Sequence, residues 1–237
     1  MLTEANADFS IFVFEQIHKL LGVNKGIKLL ALGYTDILLS ERVLMTLSSR
    51  MTDKSPIGAE IAEENEKGEG RRLRLNPTAF YRLFGFETTF IDLYDPSPDA
   101  LKIDLNEPIP QDFHQKFDAV IDGGTIEHCF NVAQAIANMA LATRVGGVAT
   151  NGNPLFALNH GFYNMNPIFY EKFYEANGFE MCSSFVCQHN SSGLQIWNGF
   201  PPDSRTLLMC GERGCEYMVN VFAKKIRHCA KVTWPSQ

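Results

Sequence analysis

The chain has 237 residues, 45% of them hydrophobic and 20% charged, which excludes a disordered acidic protein and permits a full core without disulfide or metal staples. Its 21 Lys and Arg against 27 Asp and Glu leave a formal charge of −6, with basic clusters only at Arg71-Arg72-Leu73-Arg74 and Lys224-Lys225. That balance speaks against a nucleic-acid partner gripped through its phosphates and points to a small one. No apolar run reaches the ~18 residues of a membrane span, and Met1-Leu2-Thr3-Glu4 lacks the basic start of a secretory signal. The expectation is a cytoplasmic protein whose six cysteines are reduced.

Residues 7–21 are expected to form an amphipathic helix, with Phe9, Phe12, Val13, Ile17, Leu20 and Leu21 at helical spacing and Gly22 as its stop. The apolar run from Ile27 to Leu32, closed by Gly33, reads as a buried strand. Ile37, Leu38, Val43, Leu44 and Leu47 predict a second helix over 36–47. Residues 48–74 are polar and rich in turn formers, and are expected to be a mobile insertion that closes over a site. Asn76-Pro77 then suits a helix start, because an Asn cap accepts an orphan N–H and Pro lacks one.

Three expected strands follow, over 88–93, 100–104 and 117–122, each with an acid at or near its carboxyl end: Asp92, Asp104 and Asp122. Asn131 caps a helix that Gly146-Gly147 stops, and 148–150 is a short strand. Asn166-Pro167 opens another helix, ended by Asn177-Gly178. The last strands are expected over 179–187 and 217–225, with 188–216 as an irregular loop between them. Strands that alternate with helices imply an α/β fold in one domain spanning 1–237. Its sheet would have seven mainly parallel strands, an antiparallel last strand and helices on both faces.

In open α/β sheets ligands bind beyond the carboxyl ends of the strands. That edge would carry Gly33, Asp92, Asp104 and Asp122. A glycine there lets backbone approach a ligand, a carboxylate after the second strand can accept from ribose hydroxyls, and one after the third from an adenine amino group. The plainer alternative is that each Asp caps a turn. His128 and His160 would face the same mouth, with a pKa range that suits a general base; the alternative is that both order their loops.

From Ile27 to Lys225 the chain resembles the class I S-adenosylmethionine-dependent methyltransferases, which share a Rossmann-like fold. The resemblance rests on Phe117-Asp118-Ala119-Val120-Ile121-Asp122-Gly123-Gly124-Thr125-Ile126-Glu127-His128, with Arg144-Val145-Gly146-Gly147-Val148 and Asp104-Leu105-Asn106-Glu107-Pro108. Gly161-Phe162-Tyr163, Asn166-Pro167 and Asn177-Gly178-Phe179 are similar to a bacterial subgroup associated with glycan and secondary-metabolite pathways. One departure stands out. Ala31-Leu32-Gly33-Tyr34-Thr35-Asp36 has a single glycine and no preceding acid where the family has a Gly-x-Gly pattern.

The resemblance implies S-adenosylmethionine as cofactor and methyl transfer to a small-molecule or glycan-linked hydroxyl, with neither nucleic acid nor membrane as partner. Asp92 would hold ribose, and Asp104 with the Leu105 backbone would hold adenine. Gly33 would lie by the methionine portion, and Asp122 and Gly123 would border the sulfonium. His160, with His128 behind it, is the candidate base, and Tyr163 the candidate acceptor contact. A catalytically inactive binding subunit and a nicotinamide-dependent sugar enzyme are the alternatives; the second lacks its Gly-x-Gly-x-x-Gly turn. No metal site is expected, because the spacing of Cys182, Cys187, Cys210 and Cys215 suits free thiols better than a zinc loop.

Overall fold

The computed structural model describes residues 2, 4–55, 59–64, 71–190, 193–198 and 216–236. They belong to two compact units, Met1–Leu29 with Tyr34–Lys102, and Leu30–Gly33 with Ile103–Gln237.

The first unit opens with α1 (Glu4–Leu21), the expected N-terminal helix. Its Ile11, Phe14 and Ile17 are buried at helical spacing. After α1 come β1 (Ile27–Leu32), β2 (Ile37–Ser40), α2 (Glu41–Leu47), β3 (Ala59–Glu64), β4 (Arg71–Leu75), α3 (Pro77–Leu83), β5 (Phe86–Ile91) and β6 (Ala100–Leu101). Phe14 meets Tyr81 of α3 at 5.0 Å between ring centroids and Phe86 of β5 at 5.0 Å, so one aromatic cluster holds these elements. Asn76 caps α3 as expected, its Oδ1 accepting from Ala79 N at 2.9 Å.

One expectation is corrected here. The helix over 36–47 is a strand followed by a shorter helix. Ile37 and Leu39 are buried as alternating strand residues, and the Ser40 side chain then caps α2 by accepting from Val43 N at 3.4 Å. The 48–74 stretch, read as a mobile insertion, contains regular strands. Its β3 and β4 pair antiparallel with each other and with β2, in the order β2-β4-β3. The alternation of Arg72-Leu73-Arg74-Leu75 is a strand signal that its charge count obscures. Residues 56–58 and 65–70 lie outside the described set. β5 and β6 pair in parallel, but β6 keeps only two residues of the strand expected over 100–104.

The second unit takes in the end of β1, then β7 (Phe117–Asp122), α4 (Val132–Ala142), β8 (Thr143–Phe156), α5 (Pro167–Ala176), β9 (Phe179–Asn190), β10 (Gly193–Asn198) and β11 (Glu216–Lys225). Its strands run in the order β10-β9-β11-β8-β7, with β1 beside β7. β7 and β8 are parallel, while β11 pairs antiparallel with both β8 and β9. The expected antiparallel last strand is therefore β11, inserted between two strands that share a direction. β10 was not expected. It extends β9 as an antiparallel partner inside the stretch read as irregular, of which 191–192 and 199–215 lie outside the described residues.

Gly146-Gly147 does not end a helix before a separate strand; β8 runs through it with a register shift against β7. Asn131 and Asn166 cap α4 and α5 as expected. Buried Lys225 of β11 donates to Ala140 O at 2.6 Å and Thr143 O at 2.8 Å, covering carbonyls at the end of α4. Among the described residues no helix is long and apolar enough to cross a membrane.

Candidate active site

The carboxyl end of β7 is a polar centre inside an apolar unit. Asp122 is buried there and takes five N–H donors. Its Oδ1 accepts from Thr125 N at 2.8 Å, and from Gly124 N and Ile126 N at 3.3 Å each. Its Oδ2 accepts from the side-chain amides of Asn151 and Asn153 at 2.9 Å each. Burial pushes the Asp122 carboxyl up from its ordinary range, and the ring of donors opposes that by favouring its charged form. Asn151 and Asn153 lie two residues apart on β8, so both point to one face, and Asn151 pairs in register with Asp122 itself. The Tyr174 hydroxyl donates to Asn151 Oδ1 at 2.6 Å and the Tyr170 hydroxyl to Asn153 Oδ1, which fixes both amides.

Asn153 links this centre to a second carboxylate. Its Nδ2 also donates to Glu127 Oε2 at 2.8 Å. Glu127 is 0% exposed, and among the described residues its Oε1 has no hydrogen-bond partner. Gly124, at φ +107°, passes beside that oxygen; a Cβ there would stand 3.3 Å from it. Burial, then the neighbouring charge of Asp122, push the Glu127 carboxyl to about 7. The unpartnered Oε1 faces His160 Nε2 at 3.4 Å and His128 Nε2 at 3.8 Å. The two imidazole rings lie 5.2 Å apart between centroids, and burial, then His160, push His128 down from the ordinary range. The expectation that both histidines reach one place therefore agrees with the geometry.

The loop carrying His160 is tied to the turn carrying His128. Phe162 N donates to Glu127 O at 2.9 Å, and the Tyr163 hydroxyl donates to Phe130 O at 2.8 Å. Phe130 and Phe162 are exposed and meet edge to face at 5.6 Å. Tyr163 thus spends its hydroxyl on holding the loop.

Asp104 lies in the loop after β6. Its Oδ1 accepts from Asn106 N at 2.9 Å and Asn106 Nδ2 at 2.8 Å, so it does cap its turn. Among the described residues no donor reaches Oδ2 of Asp104. Asn138 of α4 accepts from Ile109 N at 2.9 Å and donates to Leu105 O at 3.2 Å, fixing the loop from beneath.

Gly33 has φ +85°, and a Cβ there would come within 2.8 Å of Thr125 Oγ1, which donates to Leu32 O at 2.9 Å. Gly123 is exposed and has open space where a side chain would stand. In the first unit, Asp92 accepts from Tyr34 N at 3.0 Å and from Tyr94 N and Asp95 N at 2.9 Å each. Burial raises that carboxyl, but these three amides outweigh it and hold Asp92 below its ordinary range.

Glu127 as a buried acid, Asn151, Asn153 and Tyr170 were not singled out from the sequence. The usable signal was Asn151-x-Asn153 on an apolar strand beside an acid-ended one. Cys182 is exposed and Cys187 buried, as their opposite faces on β9 require, while Cys210 and Cys215 lie outside the described residues. Burial pushes the Cys187 thiol up to about 11 and Cys129 up to about 12.

No protein-family model matches the sequence, and no curated protein matches it. Solved structures do share its architecture. The 1,6-didemethyltoxoflavin-N1-methyltransferase of Burkholderia thailandensis, crystallised with 1,6-didemethyltoxoflavin and S-adenosylhomocysteine, is 14% identical, with a TM-score of 0.52 over 94% of this chain and 80% of its own. A candidate methyltransferase from Bacillus halodurans C-125 is 10% identical, with a TM-score of 0.50 over 90% of this chain and 99% of its own. The fold of the chain is that of the Rossmann-like methyltransferases.

Proposed function

We propose that the protein transfers a methyl group from S-adenosylmethionine to a hydroxyl of a small-molecule or glycan-linked acceptor. The observation that carries this reading is the cluster after β7, where a buried carboxylate backs two imidazoles at the sheet edge that binds ligands in such folds. The residues present fit the cofactor in two respects: among the described residues no donor reaches Asp104 Oδ2, and Gly123 faces open space. The Burkholderia neighbour was crystallised with the demethylated form of that cofactor.

In this reading Asp104 Oδ2 and the Leu105 backbone take the adenine, and Asp92 the ribose. Gly33 offers backbone to the methionine portion, and Asp122 and Gly123 border the sulfonium. When bound, the cofactor supplies a methyl group already activated on positively charged sulfur. The chain has to orient the acceptor and remove its proton. His160 is the base. With Nε2 turned to Glu127, its Nδ1 would take the acceptor's hydroxyl proton, and Glu127 would stabilise the resulting imidazolium. Tyr163 holds the loop on which the acceptor rests, with the exposed Phe130 and Phe162 rings beside it. The net negative charge suits an uncharged or cationic acceptor better than a nucleic acid.

The test uses S-adenosylmethionine labelled in its methyl group, incubated with the protein and separate pools of small metabolites and glycans. A product that gains one labelled methyl is expected. His160→Gln should lower kcat about a hundredfold or more and flatten the acidic limb of the pH profile. Label that reaches neither pool contradicts the reaction, and a full rate in His160→Gln contradicts the base assignment.

A further inference from the structure

We infer that Glu127, His128 and His160 form a binding site for one divalent first-row transition ion of the zinc class. One ligand atom from each residue lies within 4.8 Å of the other two. A tetrahedral ion with bonds of about 2.0–2.1 Å holds its ligands about 3.3 Å apart. The edge from Glu127 Oε1 to His160 Nε2 is already 3.4 Å, and that to His128 Nε2 is 3.8 Å. The imidazoles close the remaining edge by side-chain rotation, which their 49% and 35% side-chain exposure leaves open to them.

Glu127 points to a ligand independently of that spacing. A carboxylate oxygen with no exposure and, among the described residues, no donor carries an uncompensated desolvation cost. Glu127 Oε1 bears it while facing two imidazoles. Its sister oxygen is held by Asn153, which Asp122 and Tyr170 hold in turn. Such outer hydrogen bonds aim a metal-ligating carboxylate. Two nitrogens and one carboxylate oxygen select a transition ion over magnesium or calcium, which prefer all-oxygen shells. Three protein ligands, two of them partly exposed, leave at least one position open to water or an exogenous oxygen.

The site stands apart from the methyl-transfer reading, because ion binding is measured with neither cofactor nor acceptor present. The base role of His160 belongs to the ion-free chain, so the labelled-methyl assay, run in EDTA, and the ion titration can fail separately. The test is calorimetric titration of the full chain, stripped with EDTA and desalted, with zinc chloride. One ion per chain is expected at micromolar affinity or tighter, and no binding heat from magnesium chloride. His128→Ala and His160→Ala should each weaken it at least tenfold, as should Glu127→Gln, with folding checked by melting temperature in EDTA.

Cobalt(II) distinguishes this site from the cysteines. Binding should give visible bands without the intense near-ultraviolet absorption of thiolate ligation. The inference is overturned by absence of saturable zinc binding, by unaltered affinity in a His128→Ala/His160→Ala double variant, or by a thiolate band that survives in that variant.

Discussion

Asp122→Asn tests the buried centre most sharply, because it preserves shape and removes only charge and one acceptor. In the native chain Oδ2 faces two amide donors at 2.9 Å, from Asn151 and Asn153. In the variant an NH2 group meets those two donors, or, after a flip, meets the backbone N–H groups of Gly124, Thr125 and Ile126. Neither asparagine can turn its carbonyl inward without displacing the tyrosine hydroxyl bound to it. Two hydrogen bonds to a charged acceptor are lost, at about 1.5–3 kcal/mol each. Relief of burying a carboxylate beside Glu127 offsets about 1–2 kcal/mol. The net expectation is a loss of about 1–5 kcal/mol in urea unfolding, which for a chain of this length lowers the melting temperature by roughly 2–20 °C. Exposed Asp112→Asn is the control and should stay within about 0.5 kcal/mol. A loss below about 1 kcal/mol for Asp122→Asn would refute the reasoning, since Asp122 could not then be a carboxylate ringed by five donors.

Gly33→Ala should cost about 1–2 kcal/mol for its left-handed backbone and more for the clash with Thr125. The double variant with Thr125→Ala should be less destabilised than the sum of the singles, measured by a double-mutant cycle. Asp104→Ala should weaken S-adenosylhomocysteine binding roughly tenfold to a hundredfold and also lower the melting temperature, because the Asn106 turn loses its cap. Asp104→Asn keeps an acceptor for that turn, so calorimetry should show weakened binding at a nearly native melting temperature; unaltered affinity in both would leave Asp104 a turn residue only. Burial holds His18 below its ordinary pKa, with its Nε2 at 2.9 Å from Phe84 O. The folded chain therefore binds fewer protons than the unfolded one just below pH 6.5, and stability should fall as pH drops through that window. A His18→Gln variant should lose that part of the pH dependence, and an unchanged profile would count against it.

The elements that were legible in the sequence are those fixed by short-range chemistry. Asn76, Asn131 and Asn166 announce α3, α4 and α5 because a cap needs only its own first turn. Asp92 and Asp122 mark strand ends through the turn amides that follow them, and Asp104 marks its own turn in the loop after β6. What stayed hidden depends on partners distant in sequence. Ile37-Leu38-Leu39 fits either period until β4 pairs with it, and β10 is a strand by virtue of β9. Within the site, Gly123 drew attention by motif position, yet it is Gly124 that takes the left-handed backbone beside Glu127 Oε1. Glu127 stands in the sequence only as part of the Glu127-His128 pair; its burial and its bond to Asn153 depend on β8, which is distant in sequence.

Titration of the wild-type chain with S-adenosylhomocysteine in a calorimeter reaches the central claim most directly, because it needs no knowledge of the acceptor. One molecule should bind per chain with saturable heat, and the complex should melt at a higher temperature than the free protein. Absence of binding heat together with an unmoved melting temperature at millimolar ligand would contradict the account, leaving a methyltransferase-like fold that takes no such cofactor.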